Sequence, residues 1–205
     1  MQQLSSNYRV QNMQLIIGMS GASGVIYGVR LLEVLKAEEH IETHLVMSDS
    51  AKMNIGLETD WSANDVKALA DHVHSNKDIA ASIASGSFQT AGMIVAPCAI
   101  KTLSAIANSY ADSLVTRAAD VILKERRRLV LVPRETPLHT GHCELLYKVS
   151  QLGAIVAPPM PAHYIRPKTI DDLVNHHIGR ILDLFEIDSG LVKRWQGSRF
   201  VSLAN

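Results

Sequence analysis

The sequence predicts an α/β protein: a Rossmann-like (flavodoxin-like) three-layer sandwich on a mostly parallel sheet. Three observations carry this. Short, continuously aliphatic segments alternate with amphipathic ones, the pattern of strands buried on both faces by helices. The first aliphatic segment runs into a glycine cluster and then an apolar stripe, which is how a βαβ unit opens. Aromatic residues are only 5% of the chain and alanines are many, as suits helices lying close on a sheet.

The elements follow in order. Residues 14–19 form a strand that enters the loop Gly18-Met-Ser-Gly-Ala-Ser-Gly24. Over 25–37, Val25, Val29, Leu32 and Leu35 recur at three- and four-residue spacing, giving a helix one apolar stripe. Residues 43–47 read as a strand and 48–57 as the helix behind it. Further strands are expected at 92–96, 128–132 and 154–157, each stopped by proline, and helices at 101–108, 113–126, 142–152 and 170–184. The stretch 60–87 is polar and poorly periodic, and is expected to be a helical excursion. One α/β domain over 13–188 results, with a flexible N-terminal extension at 1–12 and a tail at 189–205 expected to pack on a neighbouring subunit.

The 205 residues balance 20 Lys and Arg against 20 Asp and Glu, with a pI near 7.1, which argues against a nucleic-acid partner. Hydrophobic residues make up 47%, enough to exclude disorder and to bury roughly 70% of the unfolded surface. No stretch approaches the ~20 apolar residues of a membrane span, and the polar start lacks the order of a signal peptide. A cytoplasmic protein without membrane partners is expected. Two cysteines, Cys98 and Cys143, are too few for a disulfide framework and point to a reducing compartment.

In an open parallel sheet the ligand lies beyond the carboxyl ends of the strands. The segments there are the glycine loop, Met47-Ser-Asp-Ser50, Ala96-Pro-Cys-Ala-Ile-Lys-Thr102, Val132-Pro-Arg-Glu-Thr-Pro137 and Ala157-Pro-Pro-Met-Pro-Ala-His-Tyr164. Hydroxyls, cations and proline-fixed turns on one edge suggest a pocket for a phosphate-bearing ligand. In the glycine loop, backbone N–H groups and a helix start can face an anion while Ser20 and Ser23 donate hydrogen bonds. Arg134, between Pro133 and Pro137, can grip a phosphate bidentately, with Glu135 beside it to orient it or relay a proton. Each has a plainer reading: a tight turn, a surface salt bridge, a packing tyrosine at Tyr164. Arg117 and Lys124, seven apart, share a helix face that could serve a cleft or a subunit contact, whereas Arg126 to Arg128 read as a solvated face. No metal is expected, because the nine histidines show no zinc spacing; His72, His74, His176 and His177 read as surface residues. Cys98 lacks an evident histidine partner and reads as a small buried residue.

Taken together, Gly21-Ala-Ser-Gly-Val-Ile-Tyr-Gly28, Ser85-Gly-Ser87, Pro97-Cys-Ala-Ile-Lys-Thr-Leu103, Arg117 to Arg126, Leu131-Val-Pro-Arg-Glu-Thr-Pro-Leu138 and Pro158-Pro-Met-Pro-Ala-His-Tyr164 resemble the flavin prenyltransferases of the UbiX type, in the phenolic-acid decarboxylase-associated branch. The resemblance covers nearly the whole chain and rests on the ordered set. It implies a metal-independent transferase that joins a dimethylallyl group from dimethylallyl phosphate to N5 and C6 of reduced FMN. The product would be prenylated FMN for a partner decarboxylase of the UbiD type acting on aromatic or phenolic acids. It also implies a large homo-oligomer, such as a dodecamer, with sites at subunit boundaries.

Carried over by motif, the flavin contacts are Gly21, Ala22, Ser23, Ser48, Ala99, Ile100, Lys101, Thr102 and Arg134. The prenyl phosphate falls to Arg117, Lys124, Arg134, Tyr164 and Arg180, and the catalytic set to Ser23, Glu58, Glu135 and Lys124. One departure is Ala99, where the family commonly carries serine. Two other readings are weighed: a flavin-dependent cysteine decarboxylase of related fold, whose characteristic His and Asn loop is not found here, and a flavin carrier without catalysis.

Overall fold

The computed structural model describes residues 12–197. All but the last residue of the expected N-terminal extension, and the tail beyond 197, lie outside the described residues. Six strands, β1 (Met13–Met19), β2 (Ile41–Met47), β3 (His72–Ser75), β4 (Gly92–Cys98), β5 (Arg128–Pro133) and β6 (Ile155–Val156), form one sheet. Their order is β3-β2-β1-β4-β5-β6, and every neighbouring pair is parallel. The helices are α1 (Ile26–Leu35), α2 (Asp49–Glu58), α3 (Ala63–Lys67), α4 (Ile100–Ala107), α5 (Leu114–Lys124), α6 (Thr140–Gln151) and α7 (Ile170–Asp183).

From β1 the chain winds outward through β2 to β3, then returns to the centre and winds the other way through β4, β5 and β6. Right-handed crossovers then place the helices of the two halves on opposite faces. Residues of α4 and α5 pack with Ile16, Met93, Val95, Leu129 and Leu131 in one buried cluster. On the other face α1 packs on β1, β2 and β4. Its approach to β4 is close: a Cβ on Gly28 would stand 2.4 Å from the Ala96 carbonyl oxygen.

Two compact units result, Met1–Pro159 and Met160–Asn205. The first holds the sheet and α1 to α6. In the second, α7 starts at a capping box between Thr169 and Asp172 and buries Val174, Ile178, Ile181 and Leu182. The described part of the tail lies on this helix in its own chain: a Cβ on Gly179 would meet Val192 at 2.6 Å, and Arg194 pairs with Asp183 at 2.9 Å.

The stretch 60–87 departs from the expected helical excursion. It holds only the short α3, the edge strand β3 and a 3-10 turn at Ser82–Ala84. The anchor is Asp71, whose carboxylate accepts hydrogen bonds from the Thr43 N–H (2.7 Å) and hydroxyl (2.8 Å) and so sets β3 in register beside β2. As an exposed edge, β3 carries His-Val-His-Ser rather than an aliphatic run.

Gly28→Ala is expected to destabilise the chain by about 1–3 kcal/mol through overpacking against a backbone carbonyl that cannot yield, although alanine ordinarily gains in a helix interior. Urea unfolding of both proteins measures the sign.

Candidate functional site

The sheet reverses its winding between β1 and β4, and the loops that leave these strands part there, which is where open α/β sheets bind ligands. Ser20 fastens the two loops. Its hydroxyl donates to the Pro97 carbonyl (3.1 Å) and accepts from the Ala99 N–H (2.7 Å), and its own N–H bonds Pro97 O at 3.1 Å. Ser20 is buried, so its proton serves the fold and not a ligand, contrary to the expected donor role. Around this clasp lies a cleft of about 250 Å³, lined by Gly21, Ser48, Ser50, Lys101, Thr102 and Asn76 among others.

The polar groups facing this cleft arise from helix starts. Ser48 caps α2, its oxygen accepting from the Ala51 N–H at 3.1 Å, which leaves the hydroxyl proton free to donate. Ala99 stands at the N-cap of α4 with cap-compatible φ/ψ and offers no side-chain bond. The first N–H groups of α4, at Ile100, Lys101 and Thr102, therefore keep their donor capacity at the positive end of the helix. The Ile100 side chain itself turns into the core cluster.

Of the expected flavin contacts, Gly21, Ser48, Ala99, Lys101 and Thr102 line the cleft together. Ala22 is buried and Ser23 exposed beside them. At the start of α1 the expected anion cradle is already filled: the Glu58 carboxylate accepts from the Gly24 N–H at 2.8 Å and the Val25 N–H at 3.2 Å. Residue patterns had not singled out Asn76, whose side-chain oxygen accepts from the Val115 N–H at 3.1 Å and ties the end of β3 to α5. It went unseen because β3 did. Cys98 is no nucleophile, since complete burial pushes its thiol up to about 12.

Arg134 is exposed directly after β5, its N–H on the Cys98 carbonyl at 3.3 Å, so it stands on the same carboxyl edge as the cleft. Glu135 follows, its carboxylate accepting from the Thr136 N–H at 3.1 Å. Lys124 is elsewhere. It ends α5 four residues before β5 begins, at the amino edge of the sheet, and six residues of strand at ~3.3 Å each separate that edge from Arg134 by roughly 20 Å. There Lys124 pairs with Glu125, and a Cβ on Gly86 would stand 2.7 Å from its Nζ. Arg117 donates to the Ala84 carbonyl at 3.2 Å and to Asp120 at 2.9 Å. Arg127 is not the solvated residue expected: it donates to the Phe88 and Gly86 carbonyls, both at 2.7 Å. Three cations of one helix and its C-terminus thus hold or border the loop 84–88.

In the second unit, Tyr164 and Arg180 line one recess with Val192, Arg194 and Trp195. The Tyr164 hydroxyl bonds His176 Nε2 at 2.9 Å, and its ring meets Trp195 edge-on with centroids 5.9 Å apart. His176 is buried rather than superficial. Burial, and then repulsion from Arg180, hold its pKa below the usual 6.5. Arg180 bonds Asp183 at 2.7 Å.

A doubly wound parallel sheet with a donor-rich cleft at its switch point defines a mononucleotide-binding α/β protein. The chain matches the Flavoprotein family over residues 3–182. It is 58% identical over 187 residues to flavin prenyltransferase UbiX of Escherichia coli K12, covering 90% of this chain and 99% of that one. The crystal structure of AnUbiX (PadA1) in complex with FMN and dimethylallyl pyrophosphate superimposes with a TM-score of 0.89 at 48% identity, covering 91% of this chain and 99% of that one. A dodecameric FMN-dependent UbiX-like decarboxylase from Escherichia coli O157:H7 gives the same TM-score of 0.89 at 55% identity, covering 90% and 100%. The chain belongs to the Flavoprotein family and, within it, to the UbiX flavin prenyltransferases.

Ala99→Ser supplies the missing cap of α4 and is expected to add about 0.5–2 kcal/mol of stability, read as a higher urea midpoint. A second expectation concerns pH. Below about 6.5 the unfolded chain protonates His176 while the folded chain resists, so the unfolded state binds more protons and stability falls with falling pH. Urea midpoints between pH 7.5 and 5 should drop, and His176→Gln should flatten the drop.

Proposed function

We propose that this chain is a flavin prenyltransferase that joins a dimethylallyl group from dimethylallyl phosphate to reduced FMN, at N5 and C6. The product is prenylated FMN for a UbiD-type decarboxylase of aromatic or phenolic acids. The observation that carries this reading is the donor-rich cleft at the β1/β4 switch point, in a chain 58% identical to a UbiX flavin prenyltransferase over 99% of that protein's length.

The residues present fit FMN. The first-turn N–H groups of α4 and the Ser48 hydroxyl offer donors to its phosphate or ring carbonyls, and Lys101 and Thr102 add a cation and a hydroxyl. Gly21 keeps one wall low, since a Cβ there would stand 2.3 Å from Ser50. Reduced FMN, when bound, supplies the electron-rich partner that the prenyl group joins.

The chain's own task is electrostatic. Loss of phosphate from an allylic carbon leaves positive charge on the organic fragment and adds negative charge to the leaving group. Fixed guanidinium and ammonium groups that meet the phosphate lower that barrier without a metal. Arg134 takes this role bidentately, joined by Arg117, Lys124, Tyr164 and Arg180. Ser23, Glu58 and Glu135 stand by the reacting atoms; the two N–H bonds on Glu58 orient its carboxylate. Because Lys124 sits at the amino edge of its own sheet, its place in this set is taken by the Lys124 of another copy. A homo-oligomer, up to a dodecamer, then makes the site. The cleft of about 250 Å³ in one chain lies just under the roughly 300–1,000 Å³ of small-molecule pockets, which supports a site shared between copies.

No helix among the described residues is long and apolar enough to cross a membrane. A reducing, cytoplasmic setting is supported by Cys98 and Cys143, both free, the second exposed.

Anaerobic incubation with reduced FMN and dimethylallyl phosphate is expected to give the prenylated flavin by mass spectrometry. A run with dimethylallyl pyrophosphate compares the two donors. Only unmodified FMN at high protein concentration with both would remove the reading and leave a carrier; carbon dioxide from a peptidyl cysteine would instead favour the decarboxylase. Arg134→Ala should lower kcat/KM for the prenyl donor by about 10–150-fold, the worth of one charge-assisted hydrogen-bonded contact.

A further inference from the structure

We propose that the β3 edge of the sheet carries a binding site for a late first-row divalent cation such as Zn²⁺, ligated by Glu42, His44 and His72. No zinc spacing announces it, because its ligands belong to two strands. Glu42 and His44 are two apart on β2, so they share a face, and the parallel register sets His44 opposite His72 and Gln14 opposite Glu42. One ligand atom from each of Glu42, His44 and His72 lies within 4.8 Å of the others. A cation at ~2.1 Å from each needs mutual separations of roughly 3.4 Å. The His72 side chain is exposed (47%) and that of Glu42 is half-buried (29%), so neither is locked and small rotations close that gap.

The contacts show how the ligands are poised. Gln14 donates to one Glu42 oxygen, and His72 Nε2 meets the other. The Gln14 side-chain oxygen meets His44 Nε2, so His44, Gln14, Glu42 and His72 form one continuous chain of polar contacts. Behind them His44 Nδ1 stands 3.0 Å from His74 Nε2, and the His44 and His72 rings stack with centroids 4.6 Å apart.

This second contact lets His44 serve as a ligand. With no cation, His44 donates from Nε2 to Gln14 and accepts at Nδ1. When a cation takes the Nε2 lone pair, the ring carries its proton on Nδ1 and donates it to His74, the outer hydrogen bond that metal-bound histidines characteristically make. The cation also displaces the proton shared between His72 and Glu42. Two imidazoles and one carboxylate match zinc chemistry and suit Cu²⁺ and Ni²⁺ as well. Gln14 or water completes the fourth position.

The test uses the untagged full chain, stripped with chelator and dialysed. Titration with Zn²⁺ by calorimetry should show one equivalent per chain, and Co²⁺ should give the visible absorption of a low-symmetry nitrogen and oxygen site. His72→Ala on the edge strand and Glu42→Gln at a half-buried position of β2 should each weaken binding about tenfold or more. His139→Ala, in the separate His139 and His142 ring pair, should leave it unchanged. Zn²⁺ should also raise the Tm of the unaltered chain and not of His72→Ala. Absence of cobalt absorption and zinc heat in the unaltered chain, or uptake that survives both His72→Ala and Glu42→Gln, would overturn the assignment.

Discussion

The hydroxyl of Ser20 joins two loops that the winding of the sheet drives apart. One bond goes to the carbonyl of Pro97 and one comes from the N–H of Ala99, so a single buried side chain satisfies two backbone groups that would otherwise be desolvated and unpaired. The start of α4 is aimed by this clasp. So is the floor of the cleft, since Gly21 follows Ser20 and Ser48 bonds its N–H to the Met19 carbonyl at 3.0 Å. A ligand entering there meets backbone donors and short hydroxyls whose positions the clasp has already set.

The all-parallel sheet imposes a second constraint. Every helix that connects two strands must run from the carboxyl edge back to the amino edge, so the two ends of α5 serve different places. Its first turn, at Ser113 and Thr116, faces the cleft; its last residue, Lys124, faces the loop around Gly86. A chemistry that needs Lys124 beside Arg134 cannot be assembled in a single chain of this topology. The dodecameric relative shows that a chain 55% identical to this one does associate with copies of itself.

The aliphatic strands were legible in sequence because they are buried on both faces: β1, β2, β4 and β5 each begin and end within two residues of the expected limits. The edge strand β3 was not, since solvent on its outer side removes the apolar run that marks a strand, and its pairing depends on Asp71 reaching Thr43 across 28 residues. The cleft residues next to glycine or proline loops were legible for the same reason as the strands that deliver them. The backbone contacts of Ser20 and Glu58 were not: both side chains hydrogen-bond backbone groups distant in sequence, which no local pattern records. His176 and Arg127 reversed their expected exposure because a tyrosine hydroxyl and two loop carbonyls offered partners from outside their own segments.

The sheet ends on each side in a strand of only four residues, His72–Ser75, or two, Ile155–Val156. Margins this short present few open backbone groups, and histidine on one of them adds polar bulk, so neither side invites an additional strand from a second molecule. Association of such chains must therefore be built from side-chain surfaces on helices and loops. That leaves the hydrogen-bonded ladder private to each molecule, and guards a concentrated protein against runaway fibrous growth.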